Sequence, residues 1–187
     1  MVKHTLFAVT IGLMVFFLYL MQYTGAFKSV TVATDQRGPY TLIYKDYTGP
    51  YHKIVSTIEE VEKWTRANGL KCRLSFGEYF DNPALVEEGR LRARGGCLID
   101  PKDENEDKVF ATLKDKLPEG YKTEVYAETK AAVALFTGAP GIGPLKVYPK
   151  VDDYIKEQKL TRKGNVLEIY EVLEKNSMQT VYIWPLN

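Results

Sequence analysis

The sequence predicts an α+β fold, with an N-terminal transmembrane helix followed by a duplicated strand-helix-strand-strand unit that forms an antiparallel sheet domain. Three observations predict it. Residues 5–27 carry no charged side chain. Beyond them the order strand, helix, strand, strand occurs twice. In each copy the helix carries apolar residues at the i, i+4, i+7 spacing of one helix face.

Composition bounds the function classes. A chain of 187 residues has room for one domain with a real hydrophobic core. Lys and Arg number 25 against 24 Asp and Glu, a net charge of +1. That balance gives no general attraction to a phosphate backbone, so nucleic acid is not an expected partner.

The apolar stretch, LFAVTIGLMVFFLYLM followed by Gln22 and Tyr23, is long enough for about 30 Å of hydrocarbon. Two readings compete, an uncleaved anchor and a cleaved secretory signal introduced by Lys3 and His4. No A-x-A-like site follows, and Tyr19 and Tyr23 stand where an interfacial aromatic belt would be, which favours the anchor. The expected organisation is an anchor over 1–27, a juxtamembrane segment over 28–37 and a domain over 38–187, with repeat one at 38–100 and repeat two at 121–187. This is a single-pass protein of an inner membrane or of the endoplasmic reticulum. Lys28 and Arg37 on one flank and Lys3 on the other do not decide its orientation.

In the first copy, 30–33 and 40–47 read as strands separated by Gly38-Pro39. Ile54, Ile58 and Val61 mark a helix closed by Asn68-Gly69. Residues 71–80 and 91–99 complete the unit as strands. In the second copy, 130–136 is a strand, Val147, Val151 and Tyr154 mark a helix with Pro149 near its start, and 166–173 and 179–186 are strands. Thr48 to Tyr79 spans 31 positions and Thr137 to Tyr170 spans 33, so Tyr79 and Tyr170 are equivalent. Two such copies imply a pseudo-twofold with a shared cleft.

The repeat breaks at a carboxylate, because Glu168 stands where the first copy has Gly77. Strand alternation turns Glu168 and Tyr170 to one face, and Tyr182 and Trp184 to one face of the partner strand. A carboxylate among aromatic rings suits a cationic or amphipathic ligand. Its burial would also raise its pKa toward general-base work. The competing reading puts Glu168 on a solvated face and the rings in ordinary core. Arg90, Arg92 and Arg94 read as a solvated edge strand, and 100–107 as an acidic solvated loop. The two cysteines, Cys72 and Cys97, fall on neighbouring strands, where a disulfide is geometrically allowed and two reduced core thiols are the favoured reading. Residues 138–144 lack the Lys-Ser/Thr of a phosphate cradle. His4 and His52 match no metal spacing, so no metal and no cofactor are expected.

Tyr47-Thr48-Gly49-Pro50-Tyr51, Gly77-Glu78-Tyr79-Phe80-Asp81-Asn82-Pro83 and Leu167-Glu168-Ile169-Tyr170 resemble the GyrI-like small-molecule-binding domains (SHS2 repeats), over roughly residues 38–187. Within that superfamily, Gly95-Gly96-Cys97-Leu98-Ile99 and residues 153–160 look most like the branch of testis-expressed, endoplasmic-reticulum-anchored autophagy receptors. The resemblance implies a ligand cleft between the repeats, with Glu168 as the pocket carboxylate and Tyr79, Tyr170 and Tyr182 as pocket aromatics; Trp184 and Tyr51 complete the set of residues expected to bind ligand. No long tail follows Asn187 and no helix-turn-helix precedes the domain, so neither autophagy-receptor activity nor transcriptional control is expected.

The leading expectation is a membrane-anchored module binding a small amphipathic, cationic or lipid-like ligand. One alternative is a hydrolase of strained small molecules with Glu168 as general base, as in GyrI-like members that open cyclopropane-containing compounds. Another is a membrane adaptor that recruits a protein partner.

Overall fold

The structure is a computed structural model describing residues 2–99, 103–173 and 178–187. It opens with helix α1 (Val2–Thr24), exposed along its length and, at 23 residues, about 34 Å long. Among the described residues it is the one helix long and apolar enough to cross a membrane, a property that a signal sequence shares.

The sheet has eight strands, β1 (Thr31–Arg37), β2 (Tyr40–Thr48), β3 (Leu74–Tyr79), β4 (Arg92–Leu98), β5 (Tyr121–Tyr126), β6 (Thr129–Thr137), β7 (Val166–Val172) and β8 (Met178–Pro185). They lie in the order β1-β6-β8-β7-β3-β4-β2-β5, every pair antiparallel. Each copy of the unit contributes three consecutive strands, β2, β4 and β3 from the first and β6, β8 and β7 from the second. The copies meet at β3 and β7.

The two ends of that order are tied together. β1 pairs with β6 from Thr31↔Leu135 to Arg37↔Thr129, and β2 pairs with β5 from Tyr40↔Tyr126 to Lys45↔Tyr121. Across the break the partner number falls by one for each residue gained, so both pairings belong to a single ladder interrupted only at Gly38 and Pro39. Pro39 has no N–H to give that ladder, and Gly38 has a φ of +99°. The hydrogen-bonded order therefore runs full circle. The strand read at 30–33 within the juxtamembrane segment runs on to Arg37 and belongs to the sheet.

Strand alternation sorts the side chains between the inside of this ring and its outer surface. Inside lie Leu42, Tyr44, Phe76, Leu98, Val133, Leu167, Ile169 and Ile183, buried together. Each large side chain of this set contributes about 2 kcal/mol by leaving water. Helices α2 (Val55–Ala67) and α4 (Gly143–Glu157) cover the outer surface, α2 over β2 and β4 and α4 over β6. Ile58 and Val61 point from α2 into the packing, and Val147, Val151 and Ile155 do so from α4. Helix α3 (Glu104–Leu113) adds Leu113 to the cluster around Cys72 and Cys97.

Four expectations are corrected. β4 is interior rather than an edge strand, and Arg94 is buried within the ring on Glu78 and Glu124 with its guanidinium over the Tyr44 ring. Arg92 instead pairs with Asp81, and Arg90 sits in a 3-10 turn. Within the acidic run 100–107, the part from Asp103 onward is the capped start of α3, and Glu106 is buried accepting the Lys71 N–H at 2.7 Å. Residues 100–102 of that run lie outside the described residues. Pro149 lies inside α4, and Pro144 holds the first-turn position where a missing N–H is free. Finally, Cys72 and Cys97 form a disulfide across a 5.5 Å Cα–Cα separation.

The β2 backbone runs so close to β4 that a Cβ on Gly96 would sit 2.1 Å from the Ile43 carbonyl oxygen. Backbone cannot yield as a side-chain tip can. Gly96→Ala should therefore cost about 3 kcal/mol and lower the melting temperature by about 10 °C, read by circular dichroism. An unchanged melting temperature would contradict this packing.

Candidate functional site

β7 and β3 lie side by side between the two helices, and their outward residues floor a cavity of about 980 Å³. Alternation along β7 turns Leu167 and Ile169 into the ring and Glu168 and Tyr170 outward. Tyr79 does the same on β3. Tyr148 descends from the second turn of α4, Trp184 rises from β8, and Tyr51 comes from the 3-10 turn Tyr51–Lys53 before α2.

The centre of the site is a chain of hydroxyls ending on one carboxylate. Tyr148 donates to Glu168 Oε1 at 2.6 Å, and Tyr170 donates to Oε2 at 2.9 Å. Tyr79 and Tyr170 hydroxyls stand 2.8 Å apart. With its hydrogen committed to Glu168, Tyr170 accepts that of Tyr79. The rings interlock edge to face, Tyr51 on Tyr79 at 4.8 Å and Tyr148 on Trp184 at 5.1 Å.

Glu168 is 4 % exposed and, among the described residues, forms no salt bridge. Burial pushes its pKa up to about 7, against the pull of the bonds from Tyr148 and Tyr170. Burial and then the charge of Glu168 raise the phenols of Tyr79 and Tyr148 above their usual range, so both remain donors. Among the described residues no group of three His, Cys, Asp or Glu could hold a metal ion.

Register accounts for the broken repeat. Glu168 pairs directly with Gly77, so equivalent positions face each other where the copies meet. A Cβ on Gly77 would sit 2.8 Å from the Tyr79 hydroxyl, which already occupies that space. One carboxylate fits at this junction and two do not.

The residues singled out in the sequence are placed as follows. Glu168, Tyr170, Tyr79, Trp184 and Tyr51 line the cavity. Tyr51 bonds to the Asp81 and Arg92 backbone, which fixes its ring. Tyr182 lies one layer below, fully buried, with its hydroxyl against Gly143, where a Cβ would come within 2.0 Å. Sequence reasoning missed Tyr148, which lies beside the Val147–Val151 core stripe and one helical turn beyond Pro144 on the same side. It also set aside residues 138–144, of which Pro140, Gly141 and Pro144 line the cavity.

No family model matches the chain, and no curated protein does. Solved structures do. The C-terminal domain of EcmrR superposes with a TM-score of 0.63 at 12% identity, over 84% of this chain and 98% of that one. EcmrR in its complex with DNA gives 0.62 at 11%, over 100% and 68%. SAV2435 bound to tetraphenylphosphonium gives 0.52 at 13%, over 84% and 94%. The fold is GyrI-like. At these identities the likeness is one of fold, the eight-strand antiparallel GyrI-like sheet.

An acid whose folded pKa lies above its unfolded value favours the fold only while protonated. The contribution of Glu168 is thus fully present below about pH 4.5 and lost as the pH rises to about 7, a change of about 3 kcal/mol. Wild-type stability should fall through that window, and Glu168→Gln should remove that part of the fall, leaving the variant the more stable at pH 8. Parallel thermal melts of both proteins from pH 4.5 to pH 8 check it. Identical profiles would show that Glu168 is not the titrating group.

Proposed function

We propose that the chain is a membrane-anchored GyrI-like module that captures a lipophilic or amphipathic cation in the cleft between its two repeats. The observation that carries this is the buried carboxylate of Glu168, with no salt-bridge partner among the described residues, on the floor of an aromatic-walled cavity. A cation entering there supplies the counter-charge that the protein withholds, and the faces and edges of Tyr51, Tyr79, Tyr148 and Trp184 receive its apolar groups. SAV2435, of similar fold, holds tetraphenylphosphonium, a cation of this kind.

Because the carboxylate must be ionised to serve, protons compete with the ligand. Tetraphenylphosphonium should bind about tenfold more weakly at pH 6 than at pH 8, following the ionised fraction of a group near pH 7. Glu168→Gln should weaken binding at pH 8 by at least about tenfold and abolish the pH dependence. Isothermal titration checks both, and unaltered binding by the variant would sink the assignment.

The same pKa favours a second reading, Glu168 as general base of a hydrolase. Turnover of a strained cyclopropane compound, lost in Glu168→Gln, would promote it over simple binding.

The anchor reading rests on α1, and the location proposed with it is an inner membrane or that of the endoplasmic reticulum. The Cys72–Cys97 disulfide supports a domain on the oxidising side of that membrane. Protease added from the cytosolic side of intact membranes should then leave the domain uncut, and its cleavage there would reverse the orientation.

A further inference from the structure

The end of α1 does not hang free of the domain. Its last residue, Thr24, accepts the Ala139 N–H through its carbonyl at 3.0 Å. Gly25 is buried against the Thr137–Gly138 backbone, so close that a Cβ would lie 3.0 Å from the Thr137 carbonyl oxygen. The Lys146 ammonium, from the first turn of α4, donates to the carbonyls of Gly25, Ala26 and Lys28. Those carbonyls follow the negative end of the helix dipole, and a lysine there caps the apolar helix as it leaves hydrocarbon.

The latch is built from the same short segment that forms one wall of the cleft. Pro140, Gly141 and Pro144 line the cavity, Lys146 grips the anchor, and Tyr148 bonds Glu168. Between wall and grip stands Leu145, 74 % exposed, an apolar side chain with no cover from its own domain. Phe27, 58 % exposed, stands beside the gripped carbonyls in sequence. Residues bonded to the first carbonyls beyond a membrane span lie at the depth of the membrane interface.

We propose that the cleft loads sideways from the bilayer, with the latch holding residues 139–145 at the interface and Leu145 set into the acyl-chain boundary. This rests on the anchored-cleft reading above. The ligand class it selects is lipophilic cations that partition into the headgroup region, which reach Glu168 without crossing bulk water.

The full chain, reconstituted in phosphatidylcholine vesicles with acyl chains brominated near their carbonyl ends, tests it. The tryptophan of a Leu145→Trp variant should lose at least about twofold more fluorescence than that of Val125→Trp, an exposed site on β5, with the unsubstituted chain subtracted. Lys146→Met added to Leu145→Trp should relieve that quenching, while tetraphenylphosphonium affinity in detergent stays within about twofold of the parent. Equal quenching at 145 and 125, or quenching indifferent to Lys146→Met, overturns the proposal. A chain that fails to float with vesicles, or fails to bind tetraphenylphosphonium in detergent, overturns the anchored-cleft reading instead and takes this inference with it.

Discussion

Everything at this site follows from burying one carboxylate where two copies of a unit meet. The β3–β7 pairing sets equivalent positions face to face, so a residue at the junction meets its own counterpart. Two carboxylates there would repel in a site with little water to screen them, and the Tyr79 hydroxyl already fills the space above Gly77. The protein resolves this by asymmetry, with glycine in the first copy and glutamate in the second. The charge is then left to tyrosine hydroxyls, since no cation accompanies it among the described residues. One phenol on Oε1 and two in series on Oε2 can stabilise a carboxylate without neutralising it, which leaves the site ready for an external cation or for a proton.

The asymmetry extends outward from that pair. Opposite Glu168 on its other side lies Tyr182, and opposite Gly77 lies Gly95. In the second copy a large ring therefore sits under α4, and Gly143 makes room for its hydroxyl. In the first copy the room is on β4, where a Cβ on Gly95 would meet Ile58 of α2 at 2.7 Å. Each helix thus packs at close range on its sheet, but the small residue is on the helix in one copy and on the strand in the other. With that exchange α4 carries Tyr148 down to Glu168 while α2 presents Val55 and Ile58 beside the carboxylates of Glu59 and Glu62, so the two walls of the cleft differ in chemistry although the backbone is duplicated.

Much of this was legible in the sequence because it is local or periodic. The uncharged run 5–27, the repeated helix spacing and the two-residue alternation of Glu168 with Tyr170 report directly on a long apolar helix, two amphipathic helices and one face of a strand. The exception at Gly77 was legible because a repeat makes departures visible. What escaped depends on partners distant in sequence. Arg94 reads as a solvated cation until β4 is known to lie between β3 and β2, where Glu78 and Glu124 meet it. The acidic run reads as a loop until the buried Glu106 is seen bonding the Lys71 backbone. Pro149 reads as a helix start because proline is free there, whereas α4 begins six residues earlier with Pro144 in that role. Tyr148 was hidden by adjacency to a core stripe, since a helix borders core and cleft along neighbouring lines of its surface.

The placement of Lys146 shows how the end of α1 and the site share one packed element, helix α4. Helix α4 is held from below by Val147, Val151 and Ile155, which pack on β6 and β8. Lys146 and Tyr148 flank Val147, so the side chain that bonds the carbonyls just past α1 and the one that bonds Glu168 emerge on either side of a buried valine. Pro149 removes the N–H that would have bonded the Leu145 carbonyl, which frees this turn from one of its own helical bonds just where the grip is made. The residue that bonds the end of α1 and the one that bonds the carboxylate therefore stand two positions apart on one packed helix.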